Sequence, residues 1–174
     1  NKTTTNEDKK SSSLSEENDL EKKEINKKSE LTELLSKICD NIYFETPIIN
    51  NESINKNELT TTALISRNKI IAALLRNELD VNLGLIGNGQ EVSIMRSTLV
   101  RTGILTLNTN IVELNFNTKN PKINNLLSEI IKFVFKARGN GKVSFEEIYD
   151  SLLLAKNHIG LRKGLIPIFL AVVF

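Results

Sequence analysis

The sequence predicts a mainly α-helical domain with one β-hairpin. Five runs of apolar residues recur at helical spacing, one run alternates apolar with polar residues, and no segment repeats internally. Composition agrees, since 174 residues with 40% hydrophobic and 25% charged side chains suffice for one packed core and little more. The folded part is expected over residues 31–174, as a helical portion (31–103) followed by a hairpin and three further helices (104–174).

Residues 1–30 hold seven Lys and eight acidic residues, with Leu14, Leu20 and Ile25 as the large apolar groups. Such a stretch buries too little surface to offset its ordering entropy, so it is expected to be a disordered linker or a solvated charged helix. At Leu31 the pattern changes. Leu31, Leu34, Leu35, Ile38, Cys39 and Ile42 fall on one helical stripe, with Cys39 expected to be a small buried hydrophobe. Thr46-Pro47 breaks that helix, and an Asn-rich loop follows to Asn57.

A second helix is expected from about Leu59 to Asn77, capped by Asn57 or Thr60. Its core-facing residues should be Ala63, Leu64, Ile71, Leu74 and Leu75, with Arg67, Lys69 and Arg76 off the stripe. A loop with Gly84, Gly87 and Gly89 leads to a third helix opened by Glu91, carrying Val92, Ile94, Met95 and Leu99 and stopped by Gly103. Leu105 and Leu107, then Val112, Leu114 and Phe116, alternate with polar neighbours around Asn108-Thr109-Asn110, the pattern of a hairpin.

Asn120-Pro121 is an N-cap followed by Pro at the first helical position. Ile123, Leu126, Leu127, Ile130, Ile131 and Val134 then form the clearest stripe in the chain, ended by Gly139. Ser144 and Glu147 have capping-box spacing, and Phe145, Ile148, Tyr149, Leu152 and Leu153 make the apolar face of a fifth helix. The last segment begins with Arg162 and Lys163 and is wholly apolar after Gly164.

Residue chemistry excludes more functions than it suggests. A formal charge of +2 gives no strong field of either sign, and one Cys with one distant His leaves no disulfide, no zinc site built from these residues and no convincing Cys/His pair. Gly139-Asn140-Gly141-Lys142 has the look of a phosphate-binding loop but lacks its first Gly, its hydroxyl after the Lys and the preceding strand. At Gly87-Asn88-Gly89 the following Glu91 already complements the helix dipole, which argues against an anion there. Glu146 and Glu147 are adjacent, so on a helix they cannot flank one substrate bond, and His158 lies in a polar turn as a surface residue. No catalytic residue, cofactor or metal site is expected.

The longest apolar stretch, Leu165 to Phe174, is short of the ~20 residues of a membrane span and is expected to be a buried helix, with a cytoplasmic location for the chain. It starts on Asn1 and stops on Phe174 inside that apolar run, so the remainder of a larger polypeptide is an expected partner. The order of helix, short helix, turn and further helix over about 120–174 is that of a winged helix-turn-helix. Its last helix, however, has no polar face for base edges, which argues against sequence-specific readout.

Three motifs, TPIINNESINKNEL at 46–59, LGLIGNGQEVSIMRSTL at 83–99 and GLRKGLIPIFLA at 160–171, resemble the region downstream of the nucleotide-binding core in very large bacterial P-loop ATPases of the BREX-type phage-defence kind. The resemblance covers about residues 31–174. It implies an ATPase site outside this piece and a winged-helix-like accessory role here, coupling a motor to DNA or to partner subunits. None of that family's nucleotide-binding residues has a counterpart in this chain.

With 17 Lys, 22 Asn and 20 Ile against 6 Arg, single lysines carry little information and arginines more. Arg96, Arg101, Arg162 and Lys163 are the candidate contacts to nucleic-acid backbone, expected on one exposed face and binding without sequence preference. The alternative is a structural or protein–protein interaction domain with no nucleic-acid role, in which these cations scatter or pair with Glu91, Glu129 and Glu146.

Overall fold

A computed structural model describes residues 27–107 and 112–174. The expected turn at Asn108-Thr109-Asn110 and nearly all of the charged stretch 1–30 lie outside the described residues. The chain divides into two compact units, residues 1–41 and 42–174.

The described part of the first unit is helix α1 (Lys28–Ile42) up to Asn41, on which Lys37 pairs with Glu33 one turn earlier at 2.7 Å. The stripe lies where the spacing puts it, yet none of its residues is buried, and Cys39 is exposed. The expectation of a buried Cys39 is therefore corrected. An amphipathic period shows which residues share a face, but burial needs a second layer, and this unit offers no other described element.

The second unit is an α structure with one hairpin: α2 (Thr61–Leu74), α3 (Gln90–Met95, continued by a π-helical turn over Arg96–Val100), β1 (Leu105–Leu107), β2 (Val112–Leu114), α4 (Pro121–Asn140), α5 (Phe145–Leu153) and α6 (Ile166–Val173). The hairpin is antiparallel, pairing Leu105 with Leu114 and Leu107 with Val112. β1 packs on the π turn, and α6 lies against both α2 and α4. That position explains its composition. Ile166, Ile168, Phe169, Leu170, Ala171 and Val172 are all buried, so a helix that meets core on most sides has no use for polar residues.

Three helix starts follow the caps read from sequence. The Thr60 hydroxyl accepts from the Ala63 N–H at 3.3 Å, Asn120 Oδ1 from the Lys122 N–H at 3.0 Å, and Ser144 Oγ from the Glu146 N–H at 3.2 Å. Each satisfies one donor that a first helical turn leaves without a partner. The capping box at Ser144 is only half formed, because the Glu147 carboxylate accepts from Lys136 on α4.

Three other details differ from the sequence reading. On α2 the buried face is Ala63, Ser66, Ile70, Ala73 and Leu74, while Leu64 and Leu75 are exposed. α2 packs against both α3 and α6, and on the α3 side the Ser66 hydroxyl is satisfied by Gln90 and Glu91, both at 3.4 Å. On α4 the buried stripe is Ile123, Leu126, Leu127, Ile130 and Phe133, with Ile131 and Val134 only half-buried. α4 also runs past Gly139 to Asn140, and Gly141 takes the positive φ of 80° that ends it.

The third helix turns π-helical at Arg96, and the Arg101 N–H donates to the Arg96 carbonyl at 2.9 Å, five residues back. Widening a helix this way disturbs its regular ladder, and nearby hydroxyls supply donors to the carbonyls. Ser97 and Thr98 both donate to the Ile94 carbonyl, at 2.9 and 2.7 Å, and Thr102 donates to those of Thr98 and Leu99, at 2.7 and 3.0 Å. Gly103 closes the element at φ 80°, a conformation that side-chain-bearing residues rarely adopt.

Candidate nucleic-acid interface

The four cations named from sequence are all exposed, and among the described residues none of them is in an ion pair. Of the three carboxylates that were their alternative partners, Glu91 pairs with Lys69 at 3.2 Å and Glu129 with Lys132 at 2.6 Å, and Glu146 is in none of the ion pairs among the described residues.

Arg96 and Arg101 come together. In a regular α-helix residues five apart point about 140° away from each other. The π turn removes most of that divergence, since its hydrogen bonds link residues five apart. Both arginines line one cavity of about 200 Å³, whose other walls are Asn50, Asn88, Val92, Ser93 and Ser97.

Arg162 and Lys163 lie in the turn ahead of α6 and not on the helix itself, which begins at Ile166. They are joined to the first pair through the loop of residues 46–57. The Lys163 N–H donates to Asn57 Oδ1 at 3.2 Å and the Gly164 N–H to the Lys56 carbonyl at 2.9 Å. At the other end of the loop, Asn51 Nδ2 donates to Ser97 Oγ at 3.0 Å. The loop is thus stretched from the π turn to the start of α6.

Two apolar plugs, Ile49 and Ile54, bury themselves and hold the loop down, while Asn51 Oδ1 accepts from the Ser53 N–H at 3.2 Å and the Ser53 hydroxyl at 2.6 Å. The Thr46 hydroxyl donates to the Ile159 carbonyl. A second cavity, about 470 Å³, opens along the loop between Ile49, Asn50, Asn51, Glu52, Asn55 and Lys56. Lys56 is a cation at this surface that sequence reasoning passed over; its position next to the 162–164 turn exists only in three dimensions.

Glu91 does not line either cavity. A hydrogen bond from its own backbone N–H and one from Lys69 hold its carboxyl below the usual value of 4.5, with Ser66 a lesser donor. The carboxylate is thereby engaged by the start of its own helix and by α2.

The remaining sequence candidates take bland places. His158 is exposed, its Nδ1 lies 2.8 Å from the Ile42 carbonyl, and its ring stacks on Phe44 with centroids 4.4 Å apart. Among the described residues no group of three His, Cys, Asp or Glu side chains is placed to hold a metal ion. No described helix is long and apolar enough to cross a membrane.

No family model matches the chain, and neither a curated protein nor a solved structure matches it.

Proposed function

We propose that the chain is a non-catalytic accessory module of a large bacterial defence ATPase, contacting nucleic-acid backbone without sequence preference and so coupling a motor to it. The observation that carries the nucleic-acid part is the pairing of Arg96 with Arg101 on one face of the π turn, unneutralised by any described carboxylate. Unpaired arginines on a surface are available to phosphates, and the buried α6 offers nothing to base edges, so contact is to backbone.

The ATPase part rests on the three motifs of the resemblance, which are neighbours in space. The 46–59 loop is fastened to the 83–99 segment by Asn51 and Ser97, and to the 160–171 segment by Lys56 and Gly164. Segments dispersed through the sequence thus meet at the 46–57 loop.

The alternative of a structural or interaction domain is favoured by a different surface. Phe145 and Phe174, 55% and 62% exposed, have ring centroids 6.1 Å apart.

The deciding experiment is a titration of the whole chain on two unrelated duplexes across a salt series. Equal affinity for both duplexes is expected, with a log–log salt slope of about −3 to −4 for four phosphate contacts. Absence of binding at low salt selects the interaction domain, and strong preference for one duplex removes the backbone reading.

A further inference from the structure

The two arginines do more than add positive charge to a surface, because the space between them has a definite size and chemistry. We infer that the cavity at the π turn is a seat for one phosphate group, held by the Arg96 and Arg101 guanidinium groups. This deepens the nucleic-acid reading and rests on it for the source of that phosphate.

Size narrows the occupant first. At about 200 Å³ the cavity is below the ~300–1,000 Å³ of sites that enclose drug-sized ligands, so a nucleotide or organic cofactor does not fit inside it. A phosphate with a few waters does.

Donor chemistry narrows it further. Arg96 and Arg101 each present a fork of N–H donors, and no carboxylate lines the cavity to compete for them. Asn50 and Asn88 line it from two loops. Ser93 Oγ takes only a long contact, 3.5 Å, from Asn51 Nδ2, which leaves its own proton to give. Residues that can donate thus line the cavity from three elements: the helix, the 46–57 loop and the 87–89 loop. A planar carboxylate meets one fork at a time, whereas a tetrahedral oxyanion presents oxygens toward all three directions.

Glu91 was the sequence-level objection to an anion at 87–89. Its carboxylate accepts from its own backbone N–H, from Lys69 and from Ser66 and lies against Gly89, so it still complements the helix start, and the seat is confined to the side of the turn lined by Arg96 and Arg101.

The test measures thermal stabilisation of the whole chain by inorganic phosphate against sodium chloride and sodium acetate at matched ionic strength, beside duplex binding. Phosphate alone should stabilise, and R96Q/R101Q should weaken that response roughly tenfold or more, as expected from losing charge-assisted hydrogen bonds. R162Q/K163Q should leave it intact. The charge-conserving R96K/R101K should keep the duplex salt slope but lose the phosphate response, since Lys retains the charge and not the fork. Equal stabilisation by acetate, or an unchanged response in R96K/R101K, overturns the seat.

The two readings fail separately. Duplex binding without any phosphate response rejects the seat and keeps the interface. A phosphate response without duplex binding keeps the seat, assigns it to free phosphate, and rejects the interface. Duplexes with and without a 5′-phosphate tell a terminal group from the internal backbone, a tighter complex with the phosphorylated end marking a terminal seat.

Discussion

The backbone N–H of Gly164 donates to the carbonyl of Lys56 at 2.9 Å, and there is no room for a side chain between them. A Cβ at residue 164 would lie 2.3 Å from the Ile54 carbonyl oxygen and 2.9 Å from that of Lys56. Both obstacles are backbone atoms, so neither swings aside. This contact, with the bond from the Lys163 N–H to Asn57 Oδ1, fastens the 46–57 loop to the start of α6 and sets Lys56 beside Arg162 and Lys163.

Gly164→Ala is accordingly expected to destabilise the chain by about 1–3 kcal/mol, the usual range for overpacking a close contact. Urea denaturation measures it directly. Amide exchange should speed up over residues 49–57 before it does in α4, and an unchanged midpoint would mean that the loop shifts freely.

Leu127→Ala should cost roughly 2–5 kcal/mol, because the side chain is fully buried on α4. Ile131→Ala, on the half-buried edge of the same helix, should cost distinctly less. Paired urea melts check the order, and equal costs would place the core boundary elsewhere on α4.

The Glu91 carboxyl gives the second unit a pH-dependent contact. Its folded value lies below 4.5 through its own backbone N–H and Lys69, so the stability it contributes is complete above 4.5 and is lost as pH falls through the lowered value. Glu91→Gln should therefore be less stable than the parent chain at about pH 6, with the gap closing toward about pH 3. A gap that stays constant across that range would assign the effect of the substitution to packing instead.

Replacing Arg162 and Lys163 together by Gln should flatten the duplex salt slope by roughly 2, one phosphate contact for each cation. Affinity should fall equally on all duplexes, since phosphate contacts carry no sequence information. A slope unchanged by the double substitution would confine the interface to Arg96, Arg101 and their surroundings.

Much of this architecture is legible in the chain because its causes are local. Thr60, Asn120-Pro121 and Ser144 announce helix starts through bonds that reach two or three residues, and the stripe from Ile123 to Ile130 announces a buried face through spacing alone. The apolar run after Gly164 is expected in the interior, and from Leu165 to Val172 it lies there apart from the half-buried Pro167. Tertiary structure decided the rest. Which face of α2 is buried depends on how α3 and α6 pack on it, and that face carries Ala63, Ser66 and Ala73 where hydropathy would have chosen Leu64 and Leu75. The π turn has no sequence signature; it buries Ser97, Thr98 and Leu99 and carries Arg101 round toward Arg96. The four candidate cations could be named from sequence one by one; their distribution along the 46–57 loop came from contacts between residues as far apart as Asn57 and Lys163, which no local rule reaches.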